Sequence, residues 1–130
     1  MKKIRITLAA AVILLLFFTS CEKIHRYHYT GKWDFMVVYT TWVGGYSTHY
    51  TTYYSGKINI AAAYNKLTIK YLEDAKITME INECGELNKE YDDPHEFAYG
   101  QFYGNNKVEI GFGYAALGGG SNHTIYGIKK

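Results

Sequence analysis

The stretch GKWDFMVVYTTWVGGYSTHYTTYYSGKI, residues 31 to 58, decides the fold. At its centre stand Gly44 and Gly45, and two adjacent glycines can both take the positive φ that a two-residue hairpin turn requires. Placing the turn there sets Val43 opposite Tyr46, Tyr39 opposite Tyr50, Val37 opposite Thr52 and Phe35 opposite Tyr54. One face of the hairpin is then almost wholly aromatic and aliphatic. The other pairs Thr40 with His49 and Trp42 with Ser47 and is more polar. Apolar residues recurring every second position over a span this long mark strands with one buried face.

The same test extends along the chain. A turn at Tyr64-Asn65 matches Ile58 with Tyr71, Ile60 with Ile69 and Ala62 with Leu67, while Asn59, Thr68 and Lys70 point the other way. At Glu83-Cys84-Gly85 a three-residue loop sets Leu87 against Ile81, with Gly85 supplying the left-handed residue such loops use. Asn105-Asn106 as a two-residue turn pairs Tyr103 with Val108, Tyr99 with Phe112 and Phe97 with Tyr114. A glycine-rich loop, ALGGGSN, then returns the chain into a closing strand, TIYGIKK. Composition agrees, with 14 tyrosines, all beyond residue 20, and a single proline, as pleated half-buried surfaces favour. No stretch carries a helical period longer than one turn.

Short strands in succession leave two exposed edges unless the sheet closes on itself. The expectation is all-β: an antiparallel up-and-down barrel of eight to nine strands, with a two-sheet sandwich as the alternative. Gly31-Lys32-Trp33 at the head of the first strand resembles the Gly-x-Trp motif that opens lipocalin barrels. In that family a basic residue near the end of the last strand lies across the tryptophan ring, and Lys129 or Lys130 stands at that place here. The resemblance implies the barrel and a closing pair of Trp33 and Lys129, and no particular ligand.

The amino-terminal segment gives an expected address. Lys2, Lys3 and Arg5 precede an apolar run from Leu8 to Phe18, which ends in Thr19-Ser20-Cys21. This is the layout of a secretory signal peptide, and the run is far shorter than the ~20 residues that span a bilayer. Phe18-Thr19-Ser20-Cys21 resembles the lipobox of bacterial lipoproteins. That resemblance implies a diacylglycerol (palmitate-bearing) anchor on Cys21, cleavage before it, and residence in the outer membrane, since Glu22 is not the inner-membrane retention residue. The chain then divides into a signal at 1–20, a tether at 21–30 and one domain at 31–130.

Charge and motif content narrow the function. Without residues 1–20 there are 11 basic side chains against 12 acidic ones, so nucleic acid is not an expected partner. If lipid takes Cys21, Cys84 has no partner and reads as an inert turn thiol. Asp92, Asp93, His95 and Glu96 crowd one loop, but Asp-Asp-Pro is first of all good turn chemistry, and His25 and His28 read as polar spacer. Ser47, Ser55 and Ser121 lack a Gly-x-Ser-x-Gly context. Neither an enzyme nor a cofactor or metal protein is expected.

What stands out is the aromatic surplus. Tyr39, Tyr46, Tyr50, Tyr54, Tyr99 and Tyr103 are the candidate ligand-binding residues if they line a cavity for a small apolar or glycan-like ligand. Facing outward, they would dock a cell-envelope protein instead. Filling of the barrel by its own side chains is the plainer use for them.

Overall fold

A computed structural model describes residues 26–63 and 65–130. Eight strands follow one short 3-10 helix at Arg26–Tyr29. They are β1 (Gly31–Val43), β2 (Tyr46–Ile60), β3 (Lys66–Lys70), β4 (Lys76–Ile81), β5 (Glu86–Asn88), β6 (Glu96–Tyr103), β7 (Lys107–Ala116) and β8 (Gly119–Lys129). Each pairs antiparallel with the next, and β8 pairs with β1, so the sheet is a closed up-and-down barrel.

The first hairpin has the register its sequence demands, from Val43 opposite Tyr46 through Phe35 opposite Tyr54. Gly44 and Gly45 hold φ of 55° and 86°, the pair of left-handed conformations that matches strand twist. The Glu83–Gly85 loop also sets Leu87 against Ile81, with Gly85 at φ 76°.

Three other connections differ from expectation. Between β2 and β3 the pairs are Ile58 with Ile69 and Ile60 with Leu67, a shift of two residues, because the alanines after Ile60 leave the strand. Tyr64, half of the expected turn, lies outside the described residues. A shift of two keeps every side chain on its expected face. Between β6 and β7 the slip is one residue: Gly104, at φ 62°, joins the turn, and Tyr103 pairs with Lys107 and Phe102 with Val108. A one-residue slip exchanges the faces. It buries Ala98, Phe102, Val108 and Ile110 and turns Tyr99 and Tyr103 outward, sparing the core two phenol hydroxyls that would need partners. Lastly, the glycines expected in a loop belong to β8 from Gly119 onward. They let Trp42 lie flat on the neighbouring strand, since a Cβ at Gly120 would fall 2.5 Å from the Trp42 ring.

The interior is lined with apolar side chains. Trp33, Phe35, Ile58, Leu67, Ile69, Met79, Ile110 and Ile125 are buried almost completely, together with Tyr29. The segment expected to be tether thus enters the fold at its end. Tyr29 stacks on Phe102 with centroids 3.7 Å apart, and the Trp33 indole N–H donates to the Tyr29 carbonyl at 2.8 Å. The short helix closes one end of the barrel. Trp33 pairs directly with Lys129 across the β1–β8 seam, and the Lys129 ammonium donates to the His28 carbonyl at 2.7 Å. First and last strands are neighbours, as the closing pair requires.

Candidate functional site

The strands are unequal, and that inequality shapes the surface. β1, β2, β7 and β8 have 13, 15, 10 and 11 residues, whereas β3, β4 and β5 have 5, 6 and 3. The long strands rise beyond the short ones as a wing over the barrel mouth. Turns β1–β2 and β7–β8 meet at its tip, where the Gly44 amide donates to the Gly118 carbonyl. The wing carries no formal charge: there is no Asp, Glu, Lys or Arg from Phe35 to Gly56 or from Ile110 to Ile128.

On the inner side of the wing, aromatic rings plug the mouth. His123 stacks on Phe112 with centroids 4.7 Å apart and planes 10° from parallel, and Tyr39 lies 4.7 Å from the same imidazole. Tyr71 packs edge-on to Phe112 at 5.5 Å, and Tyr50 sits 5.1 Å from Tyr39. Burial without an acidic partner lowers the His123 pKa, so it is a neutral ring at neutral pH. Burial likewise raises the Tyr71 pKa, with Tyr91 adding to it. These are packed rings.

Of the six tyrosines singled out in the sequence, Tyr39 and Tyr50 meet in this cluster. Tyr46 lies at the wing tip, 85% exposed. Tyr54 is half-buried on β2. Tyr99 and Tyr103 stand on the outer wall, exposed, and are not brought to the other four. Surface depressions lie on the outer wall too; one of about 520 Å3 runs between Tyr53 and Tyr126 over Met36, which those two tyrosines flank across the sheet.

The acidic loop is closed on itself. The Asp93 carboxylate accepts the His95 amide and approaches its imidazole, both at 2.9 Å, and these contacts with His95 hold the Asp93 pKa below the usual carboxylate value. That is an Asx turn. Among the described residues no three His, Cys, Asp or Glu side chains gather as a metal site. Cys84 is disulfide-bonded, which corrects the expectation of an unpaired thiol. His25 and Cys21 lie outside the described residues.

The feature the sequence did not advertise is the edge of β2. Only Lys57–Ile60 pair with β3, so Tyr46 to Gly56 is bonded to β1 on one side and, among the described residues, to nothing on the other. Half of its backbone N–H and C=O groups point outward along eleven residues. Natural edges are blunted by lysine, proline or brevity; YSTHYTTYYSG has none of these. Set against known proteins, the chain matches no protein-family model, no curated protein and no solved structure.

Proposed function

We propose that the chain is a membrane-tethered, non-enzymatic interaction module, in which the barrel is a rigid carrier and β2 receives an extended strand from a cell-envelope protein. The observation that carries this is the long, uncharged and unprotected β2 edge. Strand addition draws affinity from main-chain hydrogen bonds and specificity from alternate side-chain sites, and the Tyr, Thr, Ser and His of β2 are side chains common in binding surfaces. The buried apolar side chains inside the barrel, Trp33, Phe35, Leu67 and Ile110 among them, argue against a ligand held there. A second reading keeps a small apolar or glycan-like ligand, held at the mouth by Tyr39, Tyr50 and Tyr46, where exposed rings adjoin the packed cluster.

The test is a photo-crosslinking residue at Tyr53 in growing cells. It should capture one envelope protein, and His49→Lys with Thr51→Lys should abolish the capture. Both sites are exposed, so stability should change by no more than about 0.5 kcal/mol. Crosslinks only between copies of the chain, or capture that survives the two lysines, would sink the proposal.

The tether is proposed from the lipobox-like Phe18–Cys21, and lipocalin-like kinship from Gly31-Lys32-Trp33 with Lys129. Lipidation predicts a lipid mass on the amino-terminal peptide of membrane-extracted protein. It also predicts that Cys21→Ala loses labelled palmitate and leaves the membrane fraction, because two or more acyl chains are needed for stable anchoring. A mature protein with no lipid mass on its amino-terminal peptide would overturn the anchor.

A further inference from the structure

Strand register places lysines directly opposite one another around the barrel. Lys32 pairs with Lys57 across β1 and β2, Lys57 with Lys70 across β2 and β3, and Lys70 with Lys76 across β3 and β4. Lys130, just beyond β8, extends the row, since its amide donates to the Lys32 carbonyl. Five ammonium groups thus stand in one cross-strand row over five neighbouring strands. Like charges directly opposite in a sheet are destabilising, and here the arrangement occurs three times in succession. Only Lys130 is compensated, by Asp34 at 3.0 Å and by the Ser55 hydroxyl at 3.1 Å. Lys32, Lys57, Lys70 and Lys76 have no ion-pair partner among the described residues. Glu73 and Asp74, in the turn after β3, are the nearest acids in sequence and pair with none of them.

The row is not a flat patch. Lys32, Lys57, Lys70 and Lys130 rim a depression of about 360 Å3 whose wall includes Tyr54 and Ser55. The hollow forms where β2 runs close under β3 at Gly56, whose Cβ would fall 2.0 Å from the Lys70 carbonyl. A Cβ there would also meet the buried Phe35 ring at 3.0 Å, so only glycine lets the two strands approach this closely.

We propose that this row binds an acidic polysaccharide, a linear glycan carrying one carboxylate or sulfate on each sugar. The hollow meets the lower end of the β2 edge at Tyr54 and Ser55, but the lysine row itself lies beyond that edge and does not depend on that reading. Two features select the occupant. Strand spacing puts successive lysines ~4.8 Å apart, about the length of one pyranose along a glycan, so the charges match sugar by sugar. The row also runs across five of the eight strands, about half the circumference; a linear polymer can follow that curve, and a flat bilayer can touch only part of it. The half-buried Tyr54 offers an aromatic surface beside the charges, which suits a sugar face.

The experiment uses full-length protein in non-ionic detergent, titrated with polygalacturonate and, separately, dextran sulfate at low and moderate salt. Binding to at least one polymer is expected, weakening steeply as salt rises through counterion release. Lys57→Gln with Lys70→Gln should weaken it about tenfold or more, reduce the salt dependence by the two lost contacts, and leave the melting temperature unchanged or higher. Lys107→Gln, exposed on β7 outside the row, should leave affinity unchanged. No binding at low salt, equal weakening by Lys107→Gln, tighter binding to single-stranded DNA, or binding to phosphatidylglycerol vesicles without binding to either polymer would each overturn the proposal.

Discussion

Truncation before Thr124, removing the last seven residues, is expected to abolish cooperative unfolding altogether. The removed piece is bonded on both sides, with Ile125 opposite Val37 on β1 and opposite Ile110 on β7. Ile125 is fully buried, and Gly127 lets the Phe35 ring pack against the strand, since a Cβ there would fall 2.8 Å from it. Losing one buried isoleucine alone costs roughly 2–5 kcal/mol. Truncation further opens the ring, exposing much of β1 and β7 as new edges beside the edge β2 already has. A domain this size has ~5–15 kcal/mol of stability to lose. A thermal melt by circular dichroism with no sigmoidal transition, and collapsed amide dispersion in NMR spectra, is the expected result. A truncated chain melting cooperatively near the full-length temperature would mean that β8 is an accessory to a sheet that stands without it.

How far the sequence could be read depended on whether a signal was local. Gly44-Gly45 is a local signal with one good solution, so all pairs of the first hairpin could be placed, and Gly85 did the same for Ile81 and Leu87. At Gly104-Asn105-Asn106 three turn-forming residues stand together, and local chemistry does not say whether two or three of them form the loop. The tertiary context decides: Phe102, Val108 and Ile110 inside the barrel bury more apolar surface than Tyr99 and Tyr103 would, without stranding hydroxyls. In a two-residue turn Tyr99 and Tyr103 would face the cavity; in the three-residue turn they stand on the outer wall.

Other features are invisible locally because they are made by distant residues. Arg26–Tyr29 is one turn of 3-10 helix, too short to show a period, and Tyr29 is buried only because Phe102 arrives to stack on it. The free β2 edge follows from the shortness of β3, which no residue of β2 announces. The lysine row depends on three registers at once, and the β2–β3 register is set by where β2 ends at Ile60, which local turn chemistry does not reveal. Read singly, each lysine is an ordinary outward-facing strand residue.

Trp33→Ala is expected to destabilise the domain by about 3–5 kcal/mol, the range for truncating a large aromatic in a core. The reason is not volume alone. Trp33 is fully buried, lies edge-on to Phe102 at 5.8 Å and parallel to Phe35 at 6.4 Å, and supports the Phe102 ring on which Tyr29 stacks. Its indole N–H also satisfies the Tyr29 carbonyl. Removal therefore opens a cavity and orphans an acceptor at the same point, loosening the helix that closes the barrel end. Trp33→Phe separates the two effects: it keeps most of the ring packing and deletes the donor, so about 1–3 kcal/mol, the desolvation cost of an unpaired buried acceptor, should be lost. Lys129→Ala should cost less than either, because its ammonium meets the His28 carbonyl near the surface. Chemical denaturation of the three variants should give the order Trp33→Ala, Trp33→Phe, Lys129→Ala, with unchanged m-values if the unfolded surface is the same. If Trp33→Ala cost less than Lys129→Ala, the barrel would be held at this end by its seam and not by the tryptophan, and the closing role assigned to Gly31-Lys32-Trp33 would fail.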